Sequence, residues 1–219
     1  MDLAKAFSFV FEDPDWVQKI VIGGLIALIP VVGQLLVFGY MIGVARNVIR
    51  RNPQPLPEWS DFGQLLVDGL YMFIISIVYT LPIFVLMCLV LFPTLALGGA
   101  FSNGEELNAI GVSGIVCFGC FSALYSIAVG WFFIPAASVR YADTGDLMSA
   151  LRVGKVLDLT RTNPLVFLMA LVIYIVASFV ASFGIVLCGV GVLFTQFYAQ
   201  CVTGHAYGQA YLVAQENIV

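Results

Sequence analysis

Four stretches of this chain carry no formally charged residue, 20–45, 69–104, 107–139 and 162–215, and every lysine and arginine lies outside them. Charge-free apolar runs of 18 residues or more read as membrane spans, because about 20 helical residues cover the roughly 30 Å of hydrocarbon. No water in the bilayer satisfies peptide groups, and these runs are continuous rather than alternating, which excludes a barrel and leaves helices. Composition agrees: 61% of residues are hydrophobic and 10% charged, against about 25% charged in soluble domains. The chain is expected to be an all-α integral membrane protein, one polytopic domain over residues 1–219.

Helix breakers divide the runs. Pro30 and Gly33 split the first into a short helix, Val17 to Ile29, and a second, Gln34 to Ile49. A third runs from Val67 to Leu97 past Pro82, where the missing backbone donor favours a kink. The polar segment Phe101-Ser-Asn-Gly-Glu-Glu106 precedes a fourth, Leu107 to Tyr141, and Gly184 divides the last run into Pro164–Phe183 and Val186–Tyr211. About six transmembrane helices result, paired as hairpins over 16–50, 67–141 and 163–211, the first helix being short for a full crossing.

Orientation follows from the loops. All nine basic residues fall in the N-terminal stretch, the connections after the second and fourth helices, or their flanks, and the opposite side carries only Glu105 and Glu106. The excess of Lys and Arg marks the cytoplasmic side, so both termini are expected there. Glu12, Asp13 and Asp15 precede the first apolar run, which is not the order of a cleavable signal peptide.

Leu3, Phe7, Val10 and Phe11 recur at helical spacing, as do Phe62, Leu65, Leu66 and Leu70, and then Leu147, Leu151, Gly154 and Leu157. Each predicts a cytoplasmic amphipathic helix ahead of a hairpin, at 3–12, at 52–66 after a proline-rich linker, and at 144–160. Ser60 or Asp61 and Asp143 or Thr144 are the expected caps of the second and third. Gly39-Tyr-Met-Ile-Gly43-Val-Ala45 parallels Gly204-His-Ala-Tyr-Gly208-Gln-Ala210, both small-xxx-small faces suited to close helix packing, within the chain or between chains.

Phe9-Val-Phe-Glu-Asp-Pro-Asp-Trp16, Gly23-Gly24, Ile29-Pro30, Gly39-Tyr40, Pro57-Glu-Trp-Ser-Asp61, Leu66-Val-Asp-Gly69 and Tyr79-Thr-Leu-Pro82 resemble the membrane family catalogued as domain of unknown function 4013. The resemblance implies a multi-spanning protein of the cell membrane of an archaeon or bacterium, with no assigned activity.

The residues themselves offer few chemical constellations. Polar candidates at membrane depth are Gln34, Thr195, Gln196, Gln200, Thr203 and His205. Gln196, Gln200, Thr203 and Tyr207 form one stripe, which either bonds across helices or lines a polar cavity. Ser113 of Gly111-Val-Ser-Gly114 and His205, the only histidine, would differ in depth by roughly 20 Å, whereas a nucleophile and its base need about 3 Å, so intramembrane hydrolysis is not expected. His205 could alternatively serve a tetrapyrrole as axial ligand; otherwise no cofactor and no metal is expected. Cys117-Phe-Gly-Cys120 and Cys88 lie in apolar runs and read as small hydrophobes rather than as a redox or zinc site. Arg46, Arg50, Arg51, Arg140, Arg152, Lys155 and Arg161 form a candidate ring for lipid headgroups, interleaved with Asp61, Asp143, Asp146 and Asp158 as pairing partners.

The leading expectation is a non-enzymatic scaffold or accessory subunit, with the bilayer and either a membrane-protein partner or further copies of itself around it, and no nucleic acid. The alternative is a carrier or channel for a small neutral or lipidic solute. A ligand-sized cavity beside Gln196 and Gln200 would favour the second.

Overall fold

The computed structural model describes residues 1–100, 105–186 and 190–216, the side chains at 91–92 and 94–113 excepted. Segment 101–104 of the expected outer loop and the side chain of Ser113 fall outside the described residues. Among those described, the ordered elements are all helical: α1 (Leu3–Ser8), α2 (Trp16–Ile26), α3 (Val32–Ile49), α4 (Phe62–Ala100), α5 (Glu105–Ala128), α6 (Ile134–Thr144), α7 (Leu147–Leu151), α8 (Val153–Thr162), α9 (Pro164–Ser182) and α10 (Gly191–Glu216). Four helical stretches are long and apolar enough to cross a membrane: Val32–Ile49, Trp59–Val90, Gly114–Thr144 and Pro164–Val186.

Two of the expected six segments fall short of that standard for opposite reasons. The 11 residues of α2 rise about 16 Å, half a hydrocarbon thickness. The 26 residues of α10 suffice in length, but glutamines, threonines and His205 make it too polar, and its neighbours enclose it instead. The turn from α2 into α3 is tight: Val31 has φ 64°, a left-handed conformation unfavourable for a β-branched residue, and a Cβ at Gly33 would collide with the Ile26 carbonyl.

At the centre α3 and α10 run parallel. Gly204 lies against the Met41 backbone while Gly208 lies against Val48 and Ala45. Side chains at either glycine would force the helices apart. Antiparallel to α3, α4 packs equally closely, Gly39 meeting the Leu65 carbonyl and Gly69 that of Leu35. Gly23 and Gly24 of α2 receive the rings of Phe197 and Phe194, and α9 covers a further side of α10 through Ile173, Ala177 and Ala181. The small-residue faces thus meet within one chain.

Beyond this bundle α4 continues with α5 as a paired extension. Tyr79 donates a hydrogen bond to the Ala150 carbonyl and Tyr125 donates to the Tyr79 carbonyl, joining the extension to α7. Past that junction, residues 80–90 and 114–127 are exposed almost throughout and overwhelmingly apolar. From Tyr79 to Ala100, the end of α4, the rise is about 32 Å, one hydrocarbon thickness.

Several boundaries differ from the sequence-based expectation. The second amphipathic stretch is no separate helix: a single turn at Trp59–Asp61 leads straight into α4. The third is two helices broken at Arg152, and its cap is Asp146, which accepts from the backbone N–H groups of Met148 and Ser149. Thr144 instead donates to the Arg140 carbonyl. The fourth helix is interrupted by a π turn at Val129–Phe133. Pro135 follows it; a proline there has no N–H for the helical ladder and clashes with the carbonyl four residues back, and widening the preceding turn relieves both.

Candidate functional site

Three polar constellations occur in the bundle. In the first, Asp68, 0% exposed, accepts two hydrogen bonds from the Arg46 guanidinium at 2.7 and 2.8 Å. It also accepts from the Tyr141 hydroxyl at 2.6 Å and from Gln64 at 3.0 Å. The remaining direction of the guanidinium is taken by the Ala142 carbonyl, and the group lies over the Tyr141 ring. A buried ion pair survives only when each partner is this fully satisfied. The arrangement ties α3, α4 and α6 together.

Of the other headgroup candidates, Arg51 pairs with Glu216 and Arg140 donates to the Ser149 carbonyl. Arg50, Arg152, Lys155 and Arg161 are exposed and form no ion pair among the described residues. The expected pairing with Asp61, Asp143, Asp146 and Asp158 does not occur there: Asp146 caps α7 and Asp143 accepts from Tyr211.

The second constellation joins the two most distinctive sequence segments. Buried Lys19, on the first turn of α2, contacts Asp13 at 2.9 Å and Glu58 at 2.7 Å, while Trp59 donates to the Lys19 carbonyl and Tyr40 to that of Pro57. Burial alone would lower the Lys19 ammonium; hydrogen bonds to Glu58 and Asp13 outweigh it and hold the group above its ordinary value. Phe-Glu-Asp-Pro-Asp-Trp and Pro-Glu-Trp are therefore two halves of one clasp. In α10, His205 is buried and stacked on Phe9 at 4.2 Å, with Nδ1 lacking a hydrogen-bond partner. No group of three His, Cys, Asp or Glu side chains suited to a metal occurs among the described residues. Cys88, Cys117 and Cys120 are free and exposed on the α4–α5 extension.

The third constellation is the seam between α3 and α10. One cavity of about 260 Å³ is lined by Gln34, Val37, Gln196 and Gln200, among others. A second, of about 270 Å³, extends from Gln200 past Thr203 to Tyr207 and is bordered by Met72 and Ser76 of α4, the π turn and α9. Gln200 borders both. Of the stripe, Thr203 uses its hydroxyl on the Ala199 carbonyl, whereas the amides of Gln34, Gln196 and Gln200 make no side-chain hydrogen bond among the described residues. Gln34 and Gln196 are exposed near the starts of α3 and α10 and Gln200, one turn further on, is half-buried; each amide has two donors and an acceptor to offer a ligand.

Sequence reasoning found the α10 stripe by its spacing but missed its counterparts. Ser76, Trp131 and Tyr174 come from three other elements and carry no mutual spacing. Arg46 and Asp68 were misleading because each ends a charge-free run and so reads as solvent-side.

A family model described as "Protein of unknown function (DUF4013)" matches residues 22–190. No curated protein and no solved structure matches.

Proposed function

Since the chain belongs to the DUF4013 family, whose function is unknown, we propose its role from the site: a non-enzymatic membrane protein that binds a small neutral solute in the α3–α10 seam and carries it. The supporting observation is the pair of cavities sharing Gln200, with three glutamine amides unengaged. Glutamines at membrane depth ordinarily bond across helices; these border open space. Solutes of the small, uncharged kind suit them, because no Asp, Glu, Lys, Arg or His side chain is among the residues lining either cavity.

This reading places the protein in a prokaryotic cell membrane with both termini cytoplasmic, α2–α3, α4–α5 and α9–α10 being its three hairpins. The test is purification in a mild detergent followed by identification of co-eluting small molecules by mass spectrometry. A neutral compound present near one per chain, and lost from Gln200→Leu at unchanged thermal stability, is the expected result; identical extracts from both chains would refute it.

A second reading, an accessory subunit, is favoured by the α4–α5 extension, whose apolar residues at 80–90 and 114–127 are exposed almost throughout. A stoichiometric membrane protein in the same purification, released by charged substitutions at Leu89 or Val116, would support it.

A further inference from the structure

The second cavity is not sealed. Trp131 of the π turn and Tyr174 of α9 both line it, yet they are 37% and 39% exposed, so the cavity opens sideways between them. That opening lies in an apolar surface: Ile127, Leu168 and Ile175 are exposed beside it, on stretches long and apolar enough to cross a membrane. Inside, the polar groups are Ser76, Gln200, Thr203 and Tyr207, hydroxyls and an amide without a cation. A phosphate or carboxylate would lie uncompensated there, which hydrocarbon surroundings make expensive. With about 270 Å³, the space is just under the roughly 300–1,000 Å³ of sites that enclose a drug-sized ligand. It holds a polar head but not a lipid's chains.

We infer that this cavity takes the uncharged, hydroxyl-bearing head of a membrane lipid, which reaches it laterally between Trp131 and Tyr174 while its chains stay outside on α9. The inference rests on the solute-binding reading above and narrows it to a lipid. Aromatic rings at the opening suit the passage from apolar surface to polar interior, having an apolar body and a polar tip. Gln200 offers two donors and an acceptor to a head with two hydroxyls, and Ser76 across the cavity, its hydroxyl donating to the Met72 carbonyl, offers an acceptor.

The test uses the full chain in phosphatidylcholine vesicles containing a photoactivatable diacylglycerol, or the matching phosphatidic acid with the same chains. Crosslinks from diacylglycerol are expected to concentrate on the segments carrying Trp131 and Tyr174. Excess unlabelled diacylglycerol should reduce them about tenfold, and phosphatidic acid should label those segments about tenfold less, the ratio equivalent to 1.4 kcal/mol. The competition needs no variant. In Gln200→Leu the same crosslinks should fall while the chain remains monodisperse. Equal, uncompeted labelling by both probes overturns the inference. If a water-soluble solute co-purifies in a Gln200-dependent manner and diacylglycerol still fails to compete, solute binding stands and the lipid falls; if neither binds, both fall.

Discussion

Asp68 shows what one carboxylate can do when it is fully buried among its partners. Its four hydrogen bonds come from Arg46, Tyr141 and Gln64, so removing it leaves a guanidinium buried without a counter-charge. Asp68→Ala should destabilise the protein by about 3–5 kcal/mol, measured by chemical unfolding in detergent, and Arg46→Met combined with Asp68→Leu should recover much of that loss. Tyr141→Phe, which removes one donor to a charged acceptor, should cost about 1.5–3 kcal/mol. If Asp68→Ala unfolds like the parent, the pair is not buried as described. At this scale the sequence was least legible. A charge at the end of an apolar run carries no mark of whether it faces water or a partner on another helix, and Arg46 and Asp68 are 22 residues apart.

At the scale of elements, the glycines separate helix contacts from free surface. Gly204 touches the Met41 backbone, whereas a Cβ at Gly119 would meet nothing within 4 Å. Gly204→Val should therefore cost about 1–3 kcal/mol through overpacking, while Gly119→Ala should stay within about 0.5 kcal/mol; thermal denaturation of the two variants side by side checks this. Most helices were legible from apolar run length and breakers: the observed α3, Val32–Ile49, begins two residues before the expected Gln34, and α9 begins at Pro164 as expected. The exceptions have local causes. Pro135 converts a turn of the fourth helix to π geometry. Phe62 onward joins α4 because the residues ahead of it form only one tight turn. The polar stripe of α10 was legible from spacing, but not the cavity, since a cavity is made by what four other elements leave unfilled.

Across the whole molecule, a bundle around α3 and α10 adjoins an apolar α4–α5 extension. Under the proposed orientation, a cysteine at Gln54 or Thr144 should react with a membrane-impermeant thiol reagent only after the cytoplasmic side is opened; reaction from outside intact cells would reverse the topology. Binding in the α3–α10 seam is the central claim, and an experimental structure of the purified protein in lipid nanodiscs tests it most directly. Non-protein density is expected within hydrogen-bonding distance of the Gln200 amide, in the cavity bounded by Ser76, Thr203 and Tyr207. A closed seam, with Gln200 and Gln196 bonded to neighbouring helices, would contradict it.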